Sequence, residues 1–118
     1  VEDESLLALY YSAGDLLLHP SIAETFGLTI AEGMACGLPI ISFKTGSIPE
    51  LVDHGSNGFL AEYKSGADLI FQLKQALDLS LEKESQMRKS AREKVKNNFA
   101  LEMMVDHYLN LYKTLLRV

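Results

Sequence analysis

Apolar positions along the 118 residues change period several times, and each change predicts an element. Residues 5–11 (Ser-Leu-Leu-Ala-Leu-Tyr-Tyr) read as a helix that ends at Ala13-Gly14. Leu16-Leu17-Leu18 is a short continuous apolar run, the pattern of a strand covered on both faces in a parallel sheet. His19-Pro20-Ser21 stops it, and a loop over 19–27 leads to a second helix over about 28–36. Phe26, Ile30 and Met34 fall four apart and predict one inward face, while Ala31 and Ala35 allow close approach to a sheet. Gly37 and Pro39 end that helix, and residues 39–43 (Pro-Ile-Ile-Ser-Phe) form the second buried strand.

Ser47-Ile48-Pro49-Glu50 has the spacing of a capping box with Pro in the first turn, opening a one-turn helix that stops at Gly55. Asn57-Gly58 marks a turn, and Phe59-Leu60-Ala61 is a third strand. Three helices follow. Their predicted inner positions are Leu69, Ile70, Leu73, Ala76 and Leu77 over 67–78; Met87, Ala91 and Val95 over 81–96; and Leu101, Val105, Tyr108, Leu109, Tyr112 and Leu116 over 101–116. Alternating strands and helices imply an α/β fold: a short parallel sheet of about three strands, flanked by helices as three layers, with right-handed crossovers. Three strands are about half of a doubly wound sheet, so the expected unit is one incomplete domain spanning residues 1–118.

Composition narrows the function classes. The chain is 47% hydrophobic and 23% charged, which excludes a disordered tail and a disulfide scaffold. No apolar run approaches the length of a membrane span, and the acidic start Val1-Glu2-Asp3-Glu4 is not a signal peptide. Net charge is −5, which gives no general field for nucleic acid. The charge is divided: residues 1–62 hold Lys44 as their single base and a net −8, while residues 63–118 are net +3. A single cysteine, Cys36, suits a reducing, cytoplasmic setting and reads as a small packed residue rather than a nucleophile. No Cys or His pair has metal-ligand spacing, so no metal is expected. Residues 83–96 carry six bases around an apolar stripe, which would allow peripheral contact with the inner face of a membrane. Glu82, Glu84 and Glu93 interrupt the charge and favour a solvated face instead.

Ligands of open α/β sheets bind beyond the carboxyl ends of the strands. Two such loops stand out. One is 19–27, with His19, Ser21 and Glu24; the other is 44–49, with Thr45 and Gly46. The helix opening at Gly27 offers free N–H groups to an anion, although by itself a Phe-Gly pair is more simply accounted for by the turn. Glu24 and Glu32 are expected to flank the start of this helix and face the cleft. There they could accept hydrogen bonds from vicinal hydroxyls or simply complement the helix dipole. His19 could line the cleft or end its strand as a hydrogen-bonded structural residue.

The run from Pro20-Ser21 through Glu24, Phe26-Gly27, Glu32 and Ala35-Cys36-Gly37-Leu38-Pro39 closely resembles the signature of retaining GT-B nucleotide-sugar glycosyltransferases (glycosyltransferase family 4, the glycosyl transferases group 1 domain). Thr45-Gly46-Ser47-Ile48-Pro49-Glu50-Leu51-Val52 and Asn57-Gly58-Phe59-Leu60 match the segments that follow, and Phe99 with Tyr108-Leu109-Asn110-Leu111-Tyr112 looks like the closing helix. The resemblance implies half of a GT-B C-terminal domain, the later part of a nucleotide-sugar site. Glu24 would be the catalytic carboxylate beside the donor sugar's hydroxyls, and Glu32 would bind the ribose. Phe26, Gly27 and Leu28, with Thr29 adjacent, would meet the sugar and diphosphate. No cofactor or metal is implied. Gly33 departs from the usual Ala, and Ser47 from the second Gly of a common pair. The family's acceptor domain and its basic Arg-Lys pair for the diphosphate lie outside these residues. The chain alone is therefore expected to be inactive, to bind a nucleotide sugar weakly and to self-associate through an open sheet edge. The alternative expectation is a non-enzymatic fragment or truncated product.

Overall fold

A computed structural model of the chain describes residues 3–116. The elements in order are α1 (Glu4–Ala13), β1 (Leu17–His19), α2 (Leu28–Ala35), β2 (Ile40–Phe43), α3 (Ile48–Leu51), β3 (Gly58–Ala61), α4 (Gly66–Leu77), α5 (Leu81–Asn98) and α6 (Leu101–Leu116). The three strands form one parallel sheet in the order β1-β2-β3. Leu17 lies opposite Ile40, and Ile40 opposite Gly58.

This register divides the sheet into two faces. Leu17, Ile40 and Leu60 point with one set, Ile41, Phe43 and Ala61 with the other. The first set joins Ile30 and Met34 of α2, Ile48 and Leu51 of α3, Val52, and Ala91 of α5 in the main core. The opposite face is covered by α4, which packs on β2 and β3. Helices therefore lie on both faces and the expected three layers form. All four residues of β2 are buried, so it is the central strand in fact as well as in order. Ile40, Ile41 and Phe43 together bury enough apolar surface to contribute about 1.5–3 kcal/mol each.

Several expectations are corrected. β1 is not covered on both faces: Leu18 is 43% exposed, because β1 is an edge strand and α4 packs mainly on β2 and β3. Ser47 sits at the start of α3 but does not cap it. Its backbone is already αR and its hydroxyl donates instead to the Thr25 carbonyl, so the capping box is not made. α3 ends at Leu51, well before Gly55. Phe26 does not join Ile30 and Met34 inside. It is 43% exposed and meets Phe99 edge-on at 5.7 Å.

In α5, Met87 and Ala91 are buried as the spacing predicts. In α4, Ile70 and Leu77 remain exposed. No residue of α6 is buried, although its apolar stripe is real. The stripe has nothing over it among the described residues, except at its base, where Met104, Tyr108 and Leu111 close an apolar hollow with Phe26 and Phe99. No described helix is long and apolar enough to cross a membrane.

Candidate functional site

The carboxyl ends of β1, β2 and β3 lie side by side, and the loop after each contributes to one open hollow of about 430 Å³. Its lining is Ile22, Ala23 and Glu24 from the first loop, Lys44, Thr45 and Gly46 from the second, and Tyr63 from the third. The first loop, residues 20–27, has no regular structure, so its carbonyls need partners from elsewhere. They find them in the neighbouring loops. Thr45, itself buried, donates from Oγ1 to the Ser21 carbonyl at 3.1 Å. Tyr63 donates from Oη to the Ile22 carbonyl at 2.9 Å. Ser47 donates to the Thr25 carbonyl. Ser21 closes its own turn by donating from Oγ to the Ala23 carbonyl at 2.8 Å.

Gly46 explains why the second loop can lie so close. It has φ +52, and a Cβ there would stand 2.0 Å from the Glu24 carbonyl oxygen. No side chain fits between the two backbones. Gly27 is the other special position. It is the N-cap of α2 in a left-handed conformation (φ 85, ψ 53), and it makes no side-chain cap because it has none. No side chain caps the first N–H groups of α2 by a hydrogen bond, an arrangement that leaves them to an anion, and Glu24 is the side chain that lies against Gly27.

Glu24 stands at this edge. His19, the last residue of β1, places Nε2 3.1 Å from Glu24 Oε2. The imidazole holds the Glu24 carboxyl below the ordinary glutamate range; partial loss of water opposes this, and the Ser21 hydroxyl and Gly27 N–H add to the lowering. Lys44 is also at the hollow, but its ammonium is paired with Glu62 at 2.8 Å. The lining therefore presents a carboxylate and hydroxyls beside a helix terminus, and its lysine, Lys44, is already engaged.

Glu32 is placed differently. It is half-buried on the side of α2 that faces α1, where Tyr11 donates from Oη to Glu32 Oε2 at 3.0 Å. It lines a separate groove with Leu7, Ala8, Tyr11 and Cys36. Partial burial first, and then this carboxylate, push the Tyr11 hydroxyl above its usual range. The two glutamates thus stand on either side of the start of α2, and the expectation of one cleft facing both gives way to two hollows. Leu28 and Thr29 are exposed on the first turn of α2, and Phe26 is exposed just before it.

Tyr63 and Tyr11 were not expected at either hollow. The end of β3 is a third carboxyl-end loop, and the same rule that singles out the other two covers it. Tyr11 carries no such signal, since its contact with Glu32 crosses 21 residues of sequence. Among the described residues no group of three or more His, Cys, Asp or Glu is placed to hold a metal ion. The basic helix α5 spends part of its charge internally. Arg88 donates to the Gly14 and Asp15 carbonyls and pairs with Glu84, and Lys94 pairs with Asp53 at 3.1 Å.

Known proteins resemble this chain in sequence and in fold. The chain is 39% identical over 105 residues to N-acetyl-alpha-D-glucosaminyl L-malate synthase of Bacillus anthracis, covering 87% of this chain and 27% of that protein. Its fold superposes on sucrose-phosphate synthase from Thermosynechococcus elongatus with a TM-score of 0.86 at 30% identity, covering 98% of this chain and 29% of that one. It superposes on Anabaena Alr3699/HepE in complex with UDP-glucose with a TM-score of 0.78 at 27% identity, covering 89% and 29%. The chain spans less than a third of the length of each. The glycosyl transferases group 1 family matches residues 1–94, and the chain belongs to that family, with the α/β fold of a GT-B glycosyltransferase.

Proposed function

We propose that this chain is the later part of the nucleotide-sugar binding domain of a retaining glycosyltransferase. The whole protein would move a sugar from a nucleoside diphosphate to an acceptor hydroxyl. The observation that carries this reading is the hollow at the carboxyl ends of the sheet. A carboxylate held in its charged form, Glu24, stands there against Gly27, where α2 starts without a side-chain cap.

The chemistry divides between these groups. Glu24, touching the donor, accepts hydrogen bonds from its sugar hydroxyls and fixes the ring. The N–H groups of Gly27, Leu28 and Thr29 face the diphosphate and stabilise charge as it leaves. Phe26 flanks the sugar, Glu32 receives the ribose hydroxyls on the other side of α2, and His19, Ser21, Thr45 and Gly46 shape the hollow. No metal or other cofactor takes part in this reading. The solved relative in complex with UDP-glucose supports the donor class.

The acceptor domain and the basic residues opposite the diphosphate belong to the remainder of the protein. Lys44 is already paired with Glu62, and one exposed helix terminus contributes only about 0.3–1 kcal/mol toward an anion. The chain by itself therefore binds a nucleotide sugar near the millimolar range, about 4 kcal/mol, and does not turn it over.

The test is transfer by the full-length protein from UDP-glucose, UDP-N-acetylglucosamine and GDP-mannose, read as released nucleoside diphosphate and the anomeric configuration of the product. Retention with one donor, and loss of at least about a hundredfold in Glu24→Gln, is the expected result. An inverted product, or full activity without Glu24, contradicts it.

A second reading, a non-enzymatic chain that self-associates, is favoured by two features: the unburied apolar stripe of α6 and the open edge of β1.

A further inference from the structure

Glu24 lies in a loop without regular structure, yet its side chain has a fixed partner. That partner comes from the best-anchored position nearby. His19 is the last residue of β1, paired in register with buried Ser42 of β2. Its carbonyl receives the Ser42 hydroxyl at 2.7 Å and the Ser21 N–H at 2.9 Å. The ring is thus carried on backbone fixed from two directions. Its Nε2 stands 3.1 Å from Glu24 Oε2, with each side chain 22% exposed, open enough to meet a ligand and enclosed enough to keep one geometry.

We propose that His19 is a positioning residue for the donor site: it holds one carboxylate oxygen of Glu24 so that the carboxylate is oriented toward the donor's hydroxyls before they arrive. The proposal rests on the reading of Glu24 as the donor-sugar carboxylate. A free glutamate loses rotamer freedom when a ligand fixes it, and holding the rotamer in advance removes that loss from binding. A neutral imidazole with its proton on Nε2 suffices, so no change of protonation state is required. Sequence spacing gives His19 and Glu24 no special relation. The fold brings them together, because the loop turns back on the end of its own strand.

The test separates positioning from a purely structural latch. Dissociation constants for UDP-glucose are measured by NMR titration of the chain for the wild type, His19→Gln, His19→Leu, Glu24→Gln and the His19→Leu/Glu24→Gln double variant. Glutamine places an Nε2 donor near the imidazole nitrogen, while leucine offers none. Leucine is expected to weaken binding about five- to tenfold and glutamine less than about threefold. In the Glu24→Gln background, leucine is expected to add less than about twofold.

The Glu24 carboxyl is also titrated directly by carbon NMR without ligand. It rises toward the ordinary glutamate range in His19→Leu and stays depressed in His19→Gln. An unmoved Glu24 titration in His19→Leu overturns the proposal, with or without measurable donor binding. So does a leucine effect undiminished when Glu24 is already neutral. If Glu24 shifts as expected but UDP-glucose, UDP-N-acetylglucosamine and GDP-mannose all leave residues 21–29 unperturbed, the donor reading fails and the positioning role falls with it. If binding is seen but Glu24→Gln leaves it unchanged, the assignment of Glu24 alone is at fault, and the positioning role is again overturned.

Discussion

Single residues decide whether the three loops meet. Gly46 lies against the Glu24 carbonyl with no room for a Cβ. Gly46→Ala is therefore expected to destabilise the chain by about 2 kcal/mol or more, through both the left-handed backbone and the contact. Urea unfolding checks this, and amide shifts over residues 21–27 should move with it. Glu24 and Asp68 give the acid limb of stability. His19 lowers the first; the Glu62 N–H, and then Gln72, lower the second. Folding holds both groups charged more tightly than the unfolded chain does. Their contribution is complete above the ordinary carboxylate range of about pH 4 and is lost as pH falls through the depressed folded values. The thermal midpoint should thus fall as pH drops below about 4, and the fall should be smaller in Asp68→Asn. An equally steep fall in that variant would remove Asp68 from the account.

At the scale of elements, the start of α3 separates sequence signal from structure. Ser47 and Glu50 have capping-box spacing, yet Ser47 reaches back to the Thr25 carbonyl. The local motif loses because the 20–27 loop has carbonyls to satisfy, and no local rule reports that demand. Ser47→Ala should cost about 1 kcal/mol by leaving Thr25 without its donor. Glu50→Ala should be neutral within about 0.5 kcal/mol, as for any exposed side chain away from special features. Equal losses in the two variants would indicate a capping box after all.

Gly33 is a related case. It lowers helix propensity by about 1 kcal/mol relative to Ala, but a Cβ there would lie 2.9 Å from a Leu17 methyl. That methyl ends a flexible side chain, so Gly33→Ala is expected to stabilise, by less than the full propensity gain. A loss of stability would show that Leu17 cannot move. Strands β2 and β3 and helices α2 and α5 were legible because each buries residues at the expected period, and α4 because half-buried Leu69, Leu73 and Ala76 share the side that packs on the sheet. The exposure of Leu18 and Phe26 was not, since it depends on what lies beside an edge rather than on the pattern itself. The meeting of the carboxyl-end loops around one hollow was equally legible. Which groups hold Glu32 and the 20–27 loop was not, because Tyr11 and Tyr63 act across tens of residues.

Across the whole molecule, one core between α2, α3, α5 and the sheet carries the fold, while α1 and α6 contribute no buried residue. Isolated helices of this length draw little stability from propensity alone. Amides of α6 should exchange with solvent well before those of β2, and light scattering should show association that grows with concentration. A monodisperse monomer with α6 as protected as β2 would contradict both. The central claim is that the carboxyl-end loops form part of a nucleotide-sugar site, and amide-shift mapping of the chain with UDP-glucose, UDP-N-acetylglucosamine and GDP-mannose up to about 10 mM tests it most directly. The account predicts that one of them binds near the millimolar range and shifts residues 21–29 and 44–47, with the effect lost in Glu24→Gln. Shifts confined to the far side of the sheet, around Ser56, Lys83 and Ser90, or none at all from any of the three donors, would contradict it.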